Sequence, residues 1–100
     1  MTAYIIATYD IVDADAYQAY VPGVIPLLQK HGAEVLVADY GTEALEGAQR
    51  SACVVLKFQS EAAALAWYTD PAYEPVKKIR VESCGNSSLV LAKQFVPRGA

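Results

Sequence analysis

The chain has 100 residues, room for one compact domain around a single hydrophobic core and too few for two. Eight Lys and Arg against eleven Asp and Glu leave a formal charge of −3 and a pI near 4.9, which excludes the basic footprint of a nucleic-acid or anionic-lipid binder. A hydrophobic share of 54% holds no run near the ~18 apolar residues of a membrane span, and no basic side chain precedes Lys30 to open a secretory leader, so the expectation is a cytoplasmic protein with apolar surface left for a partner.

Ala3 to Ile11 (AYIIATYDI) is dense in β-branched and aromatic residues and runs into the acidic turn Asp10 to Asp15, which predicts a first strand. Asp13 can cap a helix, and Tyr17, Tyr20, Val21, Val24 and Leu28 follow at i, i+3, i+4, i+7 and i+11, a single apolar stripe. Pro22 and Pro26 each remove an amide donor, so two helical pieces are predicted to meet near Val21 to Gly23, the second closed by Gly32 beyond its C-terminus. Glu34 to Tyr40 is the second predicted strand and Ala52 to Gln59 the third. The Gly41 to Ser51 segment between them exceeds a minimal hairpin and is a candidate functional loop, expected to lie over a cleft or a dimer edge. Ser60 is a plausible N-cap for a helix over Glu61 to Tyr68, after which Asp70-Pro71 and Glu74-Pro75 restart a second piece to about Ser83, ended by Gly85 and Asn86. Ser88 to Val96 is the fourth predicted strand, with Pro97 to Ala100 a tail expected to fray.

The order β-α-β-β-α-β predicts an α+β, ferredoxin-like fold: one domain over residues 1–100, with two broken helices covering one face of a four-stranded antiparallel sheet. A strand solvated on one side alternates apolar and polar residues, yet Tyr4 to Ala7, Val35 to Ala38 and Cys53 to Leu56 are apolar without a break. Both faces need cover, and a second copy on the open sheet face, a homodimer, is the simplest way to supply it. A cleft is then expected in each subunit between sheet, helices and the long loop.

Cys53, Cys84 and His31 lack the spacing and number of a zinc site, and no phosphate loop, nucleophile elbow or HExxH pair is present, so no metal and no cofactor is expected. His31 beside Gly32 has a simpler account at the negative end of a helix dipole. Asp10 is a candidate general base that equally well ties a turn, and Tyr17 and Tyr20 are core residues whose hydroxyls reach a rim, Tyr20 being a candidate acid. Glu46 is the carboxylate with no helix to cap and no obvious partner but Arg50, hence a second candidate catalytic group. Arg80 either binds a carboxylate ligand by two points or holds Asp70, Glu74 or Glu46, while Trp67, Tyr68 and Tyr73 are packing residues that become a ligand-binding wall if a cleft adjoins them.

The ordered set Asp10-Ile11-Val12-Asp13-Ala14-Asp15-Ala16-Tyr17, Tyr20, Pro26, Gly32, Leu45-Glu46-Gly47, Val54 to Ser60, Ala66-Trp67-Tyr68, Asp70-Pro71-Ala72-Tyr73 and Arg80 resembles, over nearly the whole chain, the small family catalogued as domain of unknown function thirteen-thirty in the dimeric α+β barrel superfamily. The chain departs from it at Ala38-Asp39-Tyr40, where the family has Arg-Gly-Gly, at Lys57, where it has an acid, and at Ala52, where it has Arg. The resemblance implies the fold, a dimer and a cleft location; the superfamily also holds cofactor-independent oxygenases, isomerases, cyclases and haem-degrading enzymes, and a shared fold does not transfer a reaction. Two functions remain open: a metal-independent enzyme on a small organic acid or aromatic metabolite, moving a proton with Glu46 or Asp10 while Arg80 and a tyrosine hydroxyl steady an anion, or a non-catalytic small-ligand binding or accessory dimer. Convergence of Glu46, Asp10, a tyrosine hydroxyl and Arg80 on one pocket distinguishes the first from the second.

Overall fold

The computed structural model describes residues 1–97, so residues 98–100 of the expected tail lie outside the described residues. Its elements run β1 (Ala3–Ile11), α1 (Ala14–Tyr17), α2 (Tyr20–Lys30), β2 (Glu34–Asp39), β3 (Ala52–Phe58), α3 (Glu61–Tyr68), α4 (Tyr73–Ser83) and β4 (Cys84–Lys93). The four strands form one antiparallel sheet in the order β2-β3-β1-β4, the ferredoxin-like arrangement, with the helices on one face.

Local chemistry accounts for most boundaries. The Asp13 carboxylate accepts from the Ala16 amide at 3.1 Å and the Ser60 hydroxyl from the Ala63 amide at 3.1 Å, each using a donor that a first helical turn leaves free. At the end of α2, Gly32 takes φ +69 and donates to the Gln29 carbonyl while Ala33 donates to Leu28, the paired bonds that close a helix through a left-handed residue.

The break in the first helix falls at Gln18–Ala19 rather than near Val21 to Gly23. Pro22 stands at the third position of α2, where an amide has no intrahelical acceptor, and the carbonyl it fails to bond lies four residues upstream, at Gln18. A second difference lies at β4: the strand begins directly after Ser83, so Gly85 and Asn86 sit inside it, and it ends at Lys93 rather than Val96. Asn86 takes φ 50 where the β1–β4 register shifts between Thr8 and Asp10, and its amide donates to Asp10 at 3.0 Å. Those turn-forming residues mark a bulge, not a helix stop. β2 ends at Asp39 and β3 at Phe58, one residue short of expectation in each case.

Along β1, Ala3, Ile5, Ala7 and Tyr9 are buried under the helices with Ala52, Leu56 and Phe58 of β3. The core extends to Trp67 of α3 and Tyr73 of α4, and α2 and α4 approach so closely at Gly23 that an added Cβ would stand 3.2 Å from Val76. The opposite face is uncovered. Val37, Val55, Ile6 and Val90 are register partners in one apolar row across all four strands, between a row of Glu34, Lys57, Tyr4 and Ala92 and a row of Asp39, Cys53, Thr8 and Ser88.

Candidate functional site

The helices cover the sheet unevenly. All six residues of β2 are exposed, including Val35 and Ala38, which share the helix-side face with Leu56 and Val54. A cleft of about 570 Å³, counting its open mouth, remains between α2 and β2, a size suited to a small organic molecule. Val21 and Ile25 of α2, Val35 of β2 and Tyr40 rim it, each more than a third exposed.

Its walls are apolar and its polar groups are few. Arg80 reaches it from α4 and is only 5% exposed, yet among the described residues no carboxylate lies within 4 Å of its guanidinium. Arg80 Nε is a buried donor without an acceptor, and so is Nε1 of Trp67, which also lines the cleft. Burial works against the Arg80 charge, but the hydroxyls of Tyr73 and Tyr20 beside it outweigh that, and the guanidinium is held above its ordinary value. These two tyrosines are bonded to each other at 2.8 Å. A second set runs along the cleft: the Tyr9 and Tyr17 hydroxyls meet at 2.5 Å, and Tyr17 meets Tyr40 at 3.3 Å. Burial pushes Tyr9 up to about 12 and drives Tyr17 and Tyr20 higher still, Tyr17 with help from its bonds to Tyr40 and Tyr9, and Tyr20 with help from Tyr73, so these three phenols stay protonated at neutral pH.

Arg80, Trp67 and Tyr20 are therefore brought together, with Tyr73 fully buried behind Tyr20. The two carboxylates stand elsewhere. Asp10 ends β1 and accepts from the Ser51 amide at 2.9 Å and from Asn86, with Arg50 at 3.5 Å; the Asn86 and Ser51 donors hold it below the usual Asp value. It fastens the loop to the sheet. Glu46 is exposed on that loop beside Leu45, which is 90% exposed, and no residue from Gly41 to Ser51 lines the cleft. The loop is tied down at Asp10 and by the Thr42 hydroxyl on the Arg50 carbonyl at 2.6 Å, so it does not cover the cleft of its own subunit as expected.

Sequence reasoning missed Tyr9 and Tyr40 as cleft residues, although Tyr9 follows Ile5 and Ala7 at the two-residue period of the buried face. It also missed the partner of His31, whose Nε2 lies 2.8 Å from Asp70, a carboxylate that Lys30 reaches at 2.9 Å. Among the described residues no group of three or more His, Cys, Asp or Glu side chains is assembled to hold a metal ion, and no helix is long and apolar enough to cross a membrane.

Residues 2–94 match the family described as Domain of unknown function (DUF1330). The chain belongs to that family. Among solved structures, this DUF1330 chain resembles a protein of unknown function from Rhodopseudomonas palustris at 20% identity and TM-score 0.78, over 96% of this chain and 84% of that one. It also resembles a dimeric ferredoxin-like protein of unknown function from Jannaschia at 14% identity and TM-score 0.66, over 94% and 100% of the two chains. A protein named as a candidate antibiotic biosynthesis monooxygenase from Bacteroides thetaiotaomicron matches at 17% identity and TM-score 0.59, over 97% and 91%. At such identities the likeness shows the fold. No curated protein matches the chain.

Proposed function

We propose that this DUF1330 chain is a homodimer closed through its open sheet face, and that the cleft in each subunit binds a small organic acid with an apolar or aromatic body. The dimer rests on the uncovered row of Val37, Val55, Ile6 and Val90 and is supported by the dimeric description of the Jannaschia protein. The acid rests on one observation: a buried Arg80 with no carboxylate partner and a free Nε–H, in a cleft where Trp67 offers a second free donor. Leaving a buried donor unsatisfied costs about 1–3 kcal/mol, and two such donors on one cleft call for an acceptor that arrives with the ligand. A carboxylate meets both needs, since it accepts hydrogen bonds and offsets the guanidinium charge. Binding is favoured over proton transfer by Glu46 or Asp10 because neither carboxylate lines the cleft.

Trp67 is the only tryptophan, so its indole N–H gives a single, assigned NMR signal inside the site. Titration with phenylacetate is expected to move that signal downfield and saturably, while benzyl alcohol leaves it in place. Arg80→Lys should abolish the response without lowering the melting temperature, because an ammonium cannot reproduce the planar fork. Equal responses to both compounds, or a response retained in Arg80→Lys, would overturn the reading.

A further inference from the structure

Arg80 and Trp67 need no tyrosines beyond Tyr20 and Tyr73 to hold an acid, yet Tyr9, Tyr17 and Tyr40 line the same cleft with their hydroxyls in a row. The row runs from inside to outside: Tyr9 is 1% exposed with its ring centroid 5.9 Å from the Arg80 guanidinium carbon, Tyr17 is 7% exposed, and Tyr40, at the mouth, is 46% exposed. Phenylalanine would fill the first two positions equally well as packing. A phenol that stays neutral is both donor and acceptor, so a proton entering at one end of such a row is handed along without any phenolate forming. The free Nε–H of Arg80 beside an Nη–H is a pair of parallel donors, which suits two adjacent oxygens, as in the carboxylate and neighbouring oxo group of a 2-oxo acid.

We propose that the Tyr40–Tyr17–Tyr9 hydroxyls are a proton path from solvent to the Arg80 end of the cleft, and that the site catalyses the enol–keto interconversion of 2-oxo acids with an apolar side chain. This rests on the acid-binding reading and adds a reaction to it. In the ketonising direction the enol O–H bond breaks and its proton leaves to water through the mouth. The oxygen electron pair closes the C=O bond, and the former C=C pair takes the Tyr9 proton to form a new C–H bond on the adjacent carbon. Tyr17 then reprotonates Tyr9, Tyr40 reprotonates Tyr17, and solvent reprotonates Tyr40. Nothing is oxidised or reduced. Arg80 stabilises the enolate oxygen as its proton departs.

Phenylpyruvate in D2O tests this with two separate readouts: binding by the Trp67 indole signal, and replacement of its benzylic hydrogens by deuterium. The parent protein should bind it and accelerate exchange above the buffer rate. Tyr17→Phe should retain binding and lower the catalysed exchange by about a hundredfold, the usual worth of a positioned proton donor. Tyr40→Phe, which changes only the exposed end, should lower it as well and decides the matter alone if Tyr17→Phe does not fold. Tyr68→Phe, outside the cleft beneath the Lys77 ammonium, should change neither readout. Binding without accelerated exchange, or exchange that survives loss of the Tyr17 and Tyr40 hydroxyls, overturns the proton path alone; absence of saturable binding overturns the acid-binding reading and the reaction with it.

Discussion

Ile6→Glu places a charge at the centre of the uncovered sheet face, between Val55 and Val90. If two copies close there, each loses the burial of one isoleucine, worth about 1.5–3 kcal/mol for a complete transfer from water. Ile6 is already half-buried by its own neighbours, so the lower figure applies. Two-fold symmetry counts it twice, giving about 3 kcal/mol, and at about 1.4 kcal/mol per factor of ten the dimer Kd rises by about a hundredfold before any penalty for burying two carboxylates. Sedimentation velocity across a concentration series reads this directly, with circular dichroism confirming that the strand still forms. Val81→Glu, on the 54% exposed outer side of α4, should dimerise like the parent. Equal association of the Ile6→Glu and parent proteins would refute the assignment of this face.

The carboxyl of Asp70 is held well below the usual Asp range by the His31 and Lys30 donors and by the Ala72 amide. A depressed folded-state value stabilises the native chain above the ordinary Asp value of about 3.9, and that contribution is lost as pH falls toward the folded value. Asp70→Asn should therefore melt below the parent at pH 7, with the gap narrowing as pH drops beneath about 4; a gap unchanged down to pH 2 would contradict the ion-pair account. Gly32→Ala meets no atom within 4 Å, so its effect is backbone strain alone at φ +69, costing about 1–2 kcal/mol and lowering Tm by about 5–10 °C. Gly41→Ala, where no such φ is required and the nearest atom stands 3.9 Å away, should leave Tm unchanged on thermal scanning.

What was legible in the sequence follows from the range of the forces involved. β1 and α3 stand at their predicted bounds because a dense β-branched run and a Ser60 cap act within a few residues. The helix break was misplaced because a proline acts on the carbonyl four positions back, at Gln18, and not on its own neighbourhood. Asn86 misled because the same left-handed tolerance that ends a helix also makes a bulge, and only the pairing with β1 distinguishes the two. At the site, Arg80, Trp67 and Tyr20 were legible as large or charged residues on amphipathic helices. The hydroxyl contacts were not: Tyr20 meets Tyr73 across 53 positions and Tyr17 meets Tyr40 across 23, distances at which no local pattern speaks. Glu46 looked unengaged because it is exposed, which periodicity alone cannot separate from availability to a ligand.

The most direct test of Arg80 as an anion anchor is a crystal structure of the protein grown with phenylacetate. The account predicts the carboxylate between α2 and β2, accepting from Arg80 Nε and Trp67 Nε1, with the phenyl ring toward Val24 and Leu28. Phenylacetate seated elsewhere, or bound in the cleft with its carboxylate turned toward solvent and both donors still free, would contradict it.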